Sequence, residues 1–230
     1  MCLYSPREKI LNEARRGRKG RFRLSIPNYL TFLRLIISPL FLLIYLEPTF
    51  FNITPLALPY VLLFLLSISE ISDACDGYLA RKYNQVTDLG KILDPMADSI
   101  YRLTVFLTFT QPPVNLPILL VFIFLYRDSV TSTLRTICAL KGFALAARPS
   151  GKLKAIIQAI AAFTIILLLI PHSLGELSGH SLHLTSTIVA TVAAIYSLFS
   201  GIDYIYANRR YIVKLLVLKK ENNPTGSNFG

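Results

Sequence analysis

Charged residues, acidic residues above all, and cysteine are scarce in this chain. Only 16% of its 230 residues are charged, and lysine and arginine outnumber aspartate and glutamate by 24 to 13. Its three cysteines, Cys2, Cys75 and Cys138, have neither the spacing of a metal site nor the pattern of a disulfide framework. The cysteines therefore predict neither a disulfide framework nor a cysteine-ligated metal site.

Internal repeats and low-complexity tracts are also missing, and apolar residues fill the chain instead. Hydrophobic residues make up 53% of it, with a mean hydropathy of +0.52, which is typical of a single integral membrane domain at this length. The formal net charge of +11 favours contact with anionic lipid surfaces or phosphorylated substrates. Nucleic acid is the rival partner for such a charge, but the apolar segments argue against a dedicated nucleic-acid binder.

Six apolar segments approach the length of about 20 residues that a membrane-spanning helix needs. They cover residues 29–46, 56–77, 90–110, 116–140, 153–170 and 184–206. We expect an all-α, polytopic membrane fold, with about six transmembrane helices around a polar cavity that opens to the cytoplasm. The expected organisation is a basic N-terminal segment (1–25), a membrane domain (26–210) and a C-terminal tail (211–230).

The distribution of lysine and arginine predicts the orientation of these segments. The connections after the first, third and fifth segments contain neither residue, whereas those after the second and fourth, and the C-terminal tail, are basic. Positive charge stays preferentially on the cytoplasmic side of a membrane. We therefore expect a multi-pass protein of the cell inner membrane, with both termini and the acidic cluster described next on the cytoplasmic side.

Four aspartates form the most informative cluster in the sequence. Asp73, Asp76, Asp94 and Asp98 are separated by three, eighteen and four residues, so the two members of each pair share one helix face. Both pairs adjoin apolar segments, where a carboxylate costs roughly 2.5–3.5 kcal/mol at a helix centre. Clustered carboxylates need a positive charge between them, and hard oxygen ligands select magnesium, manganese or calcium. The alternative is that these acids line a water-filled vestibule or pair with lysines and arginines.

Small residues and one arginine accompany the four acids. Gly77, Ala80 and Gly90 leave room for the close approach of a bulky ligand, and Arg81 is a fixed cation suited to phosphate. The full pattern, D-x2-D-G-x2-A-R-x8-G-x3-D-x3-D, resembles the signature of the CDP-alcohol phosphotransferase family at all eight specified positions. The resemblance implies a membrane enzyme that moves a phosphatidyl or similar group from a CDP-linked donor to an alcohol and releases CMP.

The same resemblance implies roles for the clustered residues. Two divalent cations, Mg²⁺ or Mn²⁺, would be ligated by the aspartates, with Asp98 beside the second cation and also serving as the general base. The metal ligands would be Asp73, Asp76, Asp94 and Asp98, and the residues that contact the CDP donor would be Gly77, Ala80, Arg81 and Gly90.

The start of the first apolar segment adds two weaker candidates. Asn28, Thr31 and Arg34 are three residues apart and share a helix face. This segment resembles the start of the family's bacterial phosphatidylglycerophosphate synthases, which implies that Asn28 and Thr31 bind the donor. The alternative is a capped helix end with an arginine that reaches out to the membrane surface.

A second group of cations predicts where the acceptor binds. Arg127 and Arg135 lie about two helical turns apart in one apolar segment, and Lys152 and Lys154 follow shortly after it. Arginines within a membrane segment should point into a polar cavity. We therefore expect these four residues to bind the phosphate of the acceptor, although the two lysines could equally be ordinary anchors at the cytoplasmic surface.

Within the family, this arrangement resembles phosphatidylglycerophosphate synthase, with Asp128 in place of a glutamate and Ala155 in place of a threonine. The expected reaction transfers the phosphatidyl group of CDP-diacylglycerol to sn-glycerol 3-phosphate, in phospholipid biosynthesis. The same chemistry with serine, inositol phosphate or phosphatidylglycerol as acceptor is the alternative. A cation transporter is a more distant alternative, because transporters often have broken helices at matched positions of two repeats, and the sequence contains no such repeats. The expected partners are these two substrates and membrane lipids, without nucleic acid; pairing with a second copy of the chain is left open.

Overall fold

The computed structural model describes the backbone of residues 26–82, 88–140 and 149–217. Within these ranges the protein contains six α-helices and no strand. The helices are α1 (Ile26–Leu46), α2 (Leu58–Lys82), α3 (Asp88–Thr108), α4 (Ile118–Leu140), α5 (Pro149–Ser173) and α6 (Gly179–Val217). The all-α prediction is confirmed, and each apolar segment of the sequence corresponds to one helix.

Two helices extend beyond the predicted segments at their C-terminal ends. α2 continues through Lys82, so Arg81 and Lys82 belong to this helix and not to the connection that follows it. α6 has 39 residues and extends well beyond the predicted segment at its C-terminal end. Both extensions contain charged residues, Arg81 and Lys82 on α2 and Arg209, Arg210 and Lys214 on α6, and such residues end an apolar stretch in the sequence.

Length and composition identify two of the described helices as able to cross a membrane. They are α5 (Pro149–Ser173) and the part of α6 from Gly179 to Arg209, whereas α1 contributes a shorter apolar stretch, Thr31–Leu46. These two helices agree with a membrane-associated protein. The expected number of six spans remains a prediction.

Packing of the helices follows their order in the chain only in part. α1 packs against α2 and α3, while α6 packs against both α4 and α5. Contacts of α2 with α5, and of α3 with α4, join these two groups. The helices that carry the acids therefore lie beside those that carry the second group of cations.

Buried aromatic rings hold the C-terminal half of α3 against its neighbours. Phe109, which directly follows α3, contacts Phe41 of α1 edge to face at 6.3 Å between ring centroids, and Phe106 of α3 contacts Phe124 of α4 at 4.7 Å. All four rings are almost completely buried. Such pairs contribute about 0.5–1.5 kcal/mol each beyond the area they bury. The aspartates of α3 lie in its other half, so this packing fixes the helix without filling the site.

Candidate active site

A cleft of about 360 Å³ lies between α2, α3, α4, α5 and α6. It brings together two of the four predicted metal ligands and all four predicted acceptor-binding cations. Its lining consists of Asp73, Asp98, Ser99, Arg127, Asp128, Thr131, Ser132, Arg135, Ser150, Gly151, Lys152, Lys154, Ala155 and Tyr204. The predicted metal ligands and the predicted acceptor-binding cations, which lie far apart in the sequence, thus line the same cleft.

On the acidic side of the cleft, Arg34 reaches between two carboxylates. Its Nη1 lies 2.6 Å from Asp73 Oδ1 and 3.7 Å from Asp98 Oδ1. Arg34 is only 1% exposed, which rules out the alternative that its side chain extends to the membrane surface. Nη1 of Arg34 therefore lies between a carboxylate of α2 and a carboxylate of α3.

A second buried arginine, Arg102 of α3, was not identified from the sequence. Its Nε and Nη2 each lie 3.1 Å from Asp98 Oδ1, and its Nη1 donates a 2.8 Å hydrogen bond to the backbone oxygen of Ala155. Carboxylate oxygens of Glu70 and Asp73 lie 3.5 and 4.0 Å from the same guanidinium. The spacing of four residues between Asp98 and Arg102 is the signal that could have predicted the pair.

The acidic side retains an excess of negative charge among the described side chains. Glu70, Asp73 and Asp98 contribute three carboxylates, and Arg34 and Arg102 contribute two guanidinium groups. Clustered carboxylates repel one another unless cations lie between them. This region can therefore accept additional positive charge.

The predicted set of metal ligands is only half described. Asp76 lies on α2 and Asp94 on α3, but their side chains are outside the part of the molecule that the structure describes. Among the side chains that it does describe, no three acidic, histidine or cysteine residues are grouped as a metal site. The two described carboxylates fit a divalent cation, because both are hard oxygen donors near one cation position.

The basic side of the cleft is built around a buried aspartate. Asp128 of α4 is 7% exposed, and its two carboxylate oxygens accept hydrogen bonds of 2.7 and 2.8 Å from Lys154 Nζ. Arg127 Nη1 lies 3.0 Å from the same carboxylate. Lys154, itself buried, is thus held by Asp128, the residue found where the resemblance has a glutamate.

Helix α6 fixes the other edge of Arg127. Arg127 Nη2 donates a 2.8 Å hydrogen bond to Ser200 Oγ. A Cβ atom at the next residue, Gly201, would lie 3.0 Å from Arg127 Cγ, so a side chain there would displace the arginine. The orientation of Arg127 therefore depends on two successive residues of α6.

The remaining two predicted cations are disposed differently. Arg135 and Lys152 are exposed residues on the lining of the cleft, and neither has an ion-pair partner among the described residues. Ser150, at the start of α5, donates a 2.7 Å hydrogen bond to Asp203 Oδ2 of α6, which fixes the helix end beside Lys152. Among the described residues, these two exposed cations are available to bind an anion in the cleft.

The predicted donor-binding residues are only partly visible. Thr31 of α1 is 1% exposed and lies one helical turn before Arg34. The other five predicted residues also lie in helices, but the structure describes only their backbone; they are Asn28 on α1, Gly77, Ala80 and Arg81 on α2, and Gly90 on α3. Their roles remain predictions.

Several known proteins resemble this chain over most of its length. A family model described as CDP-alcohol phosphatidyltransferase matches residues 24–200. The chain is 32% identical, over 81% of its length and 97% of the relative's, to a CDP-diacylglycerol–glycerol-3-phosphate 3-phosphatidyltransferase of Rickettsia bellii. It is 30% identical to the Bacillus subtilis protein of the same name, over 76% of this chain and 94% of that one. A Streptomyces coelicolor cardiolipin synthase (CMP-forming) is 40% identical, over 46% of this chain and 48% of that protein.

Proposed function

The chain belongs to the CDP-alcohol phosphatidyltransferase family, and on that premise we propose that it makes phosphatidylglycerophosphate and CMP from CDP-diacylglycerol and sn-glycerol 3-phosphate. Relatives named for this activity align with most of the chain. The observation that carries the proposal is that one cleft has an acidic side with Asp73 and Asp98, the acidic wall, and a basic side with Arg127, Arg135, Lys152 and Lys154, the basic wall. The first suits a metal-bound pyrophosphate donor, and the second suits a phosphorylated acceptor.

The donor is assigned to the acidic wall. The family is generally dependent on divalent metal, and we infer that two Mg²⁺ or Mn²⁺ ions are held here. Bound there, they would neutralise the pyrophosphate and polarise the phosphorus that is attacked. The proposed metal ligands are Asp73, Asp76, Asp94 and Asp98, and the proposed donor contacts are Asn28, Thr31, Gly77, Ala80, Arg81 and Gly90.

Asp98 is the proposed general base. It lines the cleft beside the basic wall, where it would take the proton of the attacking hydroxyl group. The hydroxyl oxygen forms a bond to the β-phosphorus of the donor, and the bond from that phosphorus to the bridging oxygen breaks. The bridging oxygen leaves with CMP, so the transfer is a single displacement.

The acceptor phosphate is assigned to the basic wall. Arg135 and Lys152 are exposed on it and would donate charge-assisted hydrogen bonds to the phosphate dianion. Arg127 adds a third cation, held in place by Asp128 and Ser200. Lys154 contributes through its pairing with Asp128, because its ammonium group already donates to both oxygens of that carboxylate.

We further propose that the helices cross the cell inner membrane with both termini and the cleft on the cytoplasmic side. Residues 26–210 would form the membrane domain, between cytoplasmic segments 1–25 and 211–230. This orientation follows from the basic connections. It gives a water-soluble glycerol phosphate and a membrane-bound donor access to the same cleft.

The test is a panel of labelled acceptors offered to the purified full-length protein with CDP-diacylglycerol. Glycerol 3-phosphate, serine, inositol phosphate and phosphatidylglycerol are compared by CMP release and by the lipid product. We expect phosphatidylglycerophosphate from the first alone, no turnover in chelator, and recovery with Mg²⁺ or Mn²⁺. Release of CMP only with another acceptor contradicts the assignment, and full turnover in chelator contradicts the metal site.

The same panel tests the second candidate, phosphatidylglycerol as acceptor. It is favoured by the likeness of nearly half of the chain to the Streptomyces coelicolor cardiolipin synthase. Formation of cardiolipin would support it, whereas the two exposed cations of the basic wall favour the doubly charged phosphate of glycerol 3-phosphate. Uptake of a cation into vesicles without CMP release would instead support a transporter.

A further inference from the structure

Arg102 is a buried cation that connects helices of both walls of the cleft. It belongs to α3 and is 6% exposed, with carboxylate neighbours on α2 and a backbone contact on α5. Removing a guanidinium group from water is expensive, and hydrogen bonds and ion pairs must offset that loss. A leucine or phenylalanine would fill the same space in an apolar helix without this desolvation cost. The contacts of Arg102 therefore indicate the role of its charge.

The two edges of the guanidinium make different contacts. Its Nε and Nη2 both lie 3.1 Å from Asp98 Oδ1, while Nη1 donates to the carbonyl oxygen of Ala155 at 2.8 Å. The planar fork of arginine fixes these directions relative to one another, which the single ammonium group of lysine cannot do. Asp98 is therefore tied to one specific carbonyl group of α5.

Both arginines approach the same oxygen of Asp98. Nε and Nη2 of Arg102 lie 3.1 Å from Oδ1, and Nη1 of Arg34 lies 3.7 Å from it. A carboxylate whose Oδ1 is fixed in this way leaves Oδ2 to accept a proton. Ala155 directly follows Lys154, so the same guanidinium also sets the distance between that oxygen and the basic wall.

We propose that Arg102 is a positioning residue for the transfer reaction, acting through Asp98. It fixes Oδ1 of the general base and leaves Oδ2 for the hydroxyl group of the acceptor. It also holds Asp98 at a fixed distance from the start of α5, where the acceptor phosphate binds. The proposal rests on the proposed function. The contact with Ala155 uses only the backbone, so an alanine serves there as well as the threonine expected from the resemblance.

The first experiment compares Arg102→Gln and Arg102→Lys in the full-length protein in lipid nanodiscs, with Arg209→Gln as the matched control. Arg209 is exposed at the far end of α6, over the ring of Tyr206. Loss of a residue that orients a catalytic group typically lowers activity about 10–100-fold. We expect that fall in kcat for Arg102→Gln, a smaller fall for Arg102→Lys, and no change in the KM for CDP-diacylglycerol. Wild-type kcat in both folded Arg102 variants overturns the proposal.

Binding of Mn²⁺, followed by electron paramagnetic resonance without substrates, separates positioning from a general structural role. Arg102→Gln removes a positive charge close to Asp73 and Asp98, two of the proposed metal ligands, so Mn²⁺ should bind as tightly as in the wild type or several-fold more tightly. A lesion that simply disorders the site would weaken Mn²⁺ binding together with kcat. That second pattern contradicts a positioning role.

The double variant Asp98→Asn/Arg102→Gln tests whether Arg102 acts through Asp98. If it does, the double variant should lose about as much kcat as Asp98→Asn alone, because coupled residues are not additive. Multiplicative losses overturn the proposal. The arginine variants are assayed with whichever acceptor of the panel releases CMP from the wild type, so a wrong acceptor contradicts the proposed function alone. Absence of CMP release with every acceptor overturns both proposals.

Discussion

The two walls of the cleft are built on the same plan with opposite signs of charge. On the acidic wall, the Asp73 and Asp98 side chains are 41% and 29% exposed, while Arg34 and Arg102 behind them are 1% and 7% exposed. On the basic wall, Arg135 and Lys152 are exposed, while the Asp128 side chain is 6% exposed. Each wall therefore presents one sign of charge and buries the other.

This difference explains how like charges can be clustered in a largely apolar protein. A buried counter-ion reduces repulsion among its neighbours without occupying their outer faces. The walls differ in how completely the inner charge is neutralised. Asp128 has two cations within 3.0 Å, whereas the two buried arginines are shared among three carboxylates. The acidic wall thus still needs cations, and the basic wall has exposed cations to offer to an anion.

The strongest way to break the acidic wall is Asp98→Asn, which keeps the shape of the side chain and removes its ability to accept a proton. We expect kcat to fall about 10²–10⁴-fold, the usual contribution of a general base, while binding of CDP-diacylglycerol changes little. Steady-state kinetics and equilibrium binding of the donor measure the two effects. The neutralising control is Glu47→Gln, at an exposed position outside the cleft. Near wild-type turnover in Asp98→Asn would show that another group is the base.

Removing the buried lysine of the basic wall should lower the stability of the protein. Lys154→Met leaves the buried Asp128 with Arg127 as its remaining cation, and loss of one partner of a buried ion pair costs up to about 3–5 kcal/mol. We expect a clear fall in Tm, whereas Lys152→Met, at an exposed lysine, should leave Tm close to that of the wild type.

Adding Asp128→Asn to Lys154→Met should recover part of the lost stability, because the unpaired charge is then gone. Equal Tm values for Lys154→Met and Lys152→Met would mean that the buried pair contributes no more than an exposed cation. Thermal unfolding in identical nanodiscs provides the comparison.

Removing an exposed cation of the basic wall should weaken acceptor binding. Arg135→Ala or Lys152→Ala removes a charge-assisted hydrogen bond of roughly 1.5–3 kcal/mol, so the KM for glycerol 3-phosphate should rise about ten- to a hundredfold. The KM for CDP-diacylglycerol should change little. The double variant should lose less than the product of the two effects if both residues bind one phosphate group. An unchanged acceptor KM in folded forms of both variants contradicts this site.

The smallest expected effect concerns the support that α6 gives to Arg127. Ser200→Ala removes the hydroxyl group that accepts from Arg127 Nη2 at 2.8 Å, and we expect at most about a tenfold rise in the acceptor KM. Ser197→Ala is the matched control, because Ser197 Oγ is buried one turn earlier without a hydrogen-bond partner in the described structure. Equal KM values in the two variants would remove Ser200 from the account of the basic wall.

The sequence predicted the helices and the two charge clusters because both depend on local patterns. Apolar segments located all six helices, and spacings of three and four residues identified the aspartate pairs. The buried counter-ions were harder to predict, because they depend on packing between helices. Asp128 and Lys154 are 26 residues apart, and Arg34 and Asp73 are 39 apart.

Arg102 shows why other parts of the site could not be predicted from the sequence alone. In the sequence it is one arginine within the third apolar segment, and only its spacing from Asp98 suggests a local partner. Its contacts with Glu70 and Ala155 come from helices that are distant in the chain. Which cation supports the structure and which is available to a ligand could not be read from residue type, since Lys152 and Lys154 are two residues apart and differ completely in exposure.

The length of α6 determines the depth of the cleft under the proposed topology. Ser200, which contacts Arg127, lies 21 residues after Gly179, the first residue of the helix. At about 1.5 Å per residue, this distance is about 32 Å, close to the hydrocarbon thickness of roughly 30 Å. A helix that entered the bilayer at Gly179 would therefore reach the opposite headgroup layer at Ser200, and the proposed topology would place the basic wall where the lipid donor and the dissolved acceptor meet.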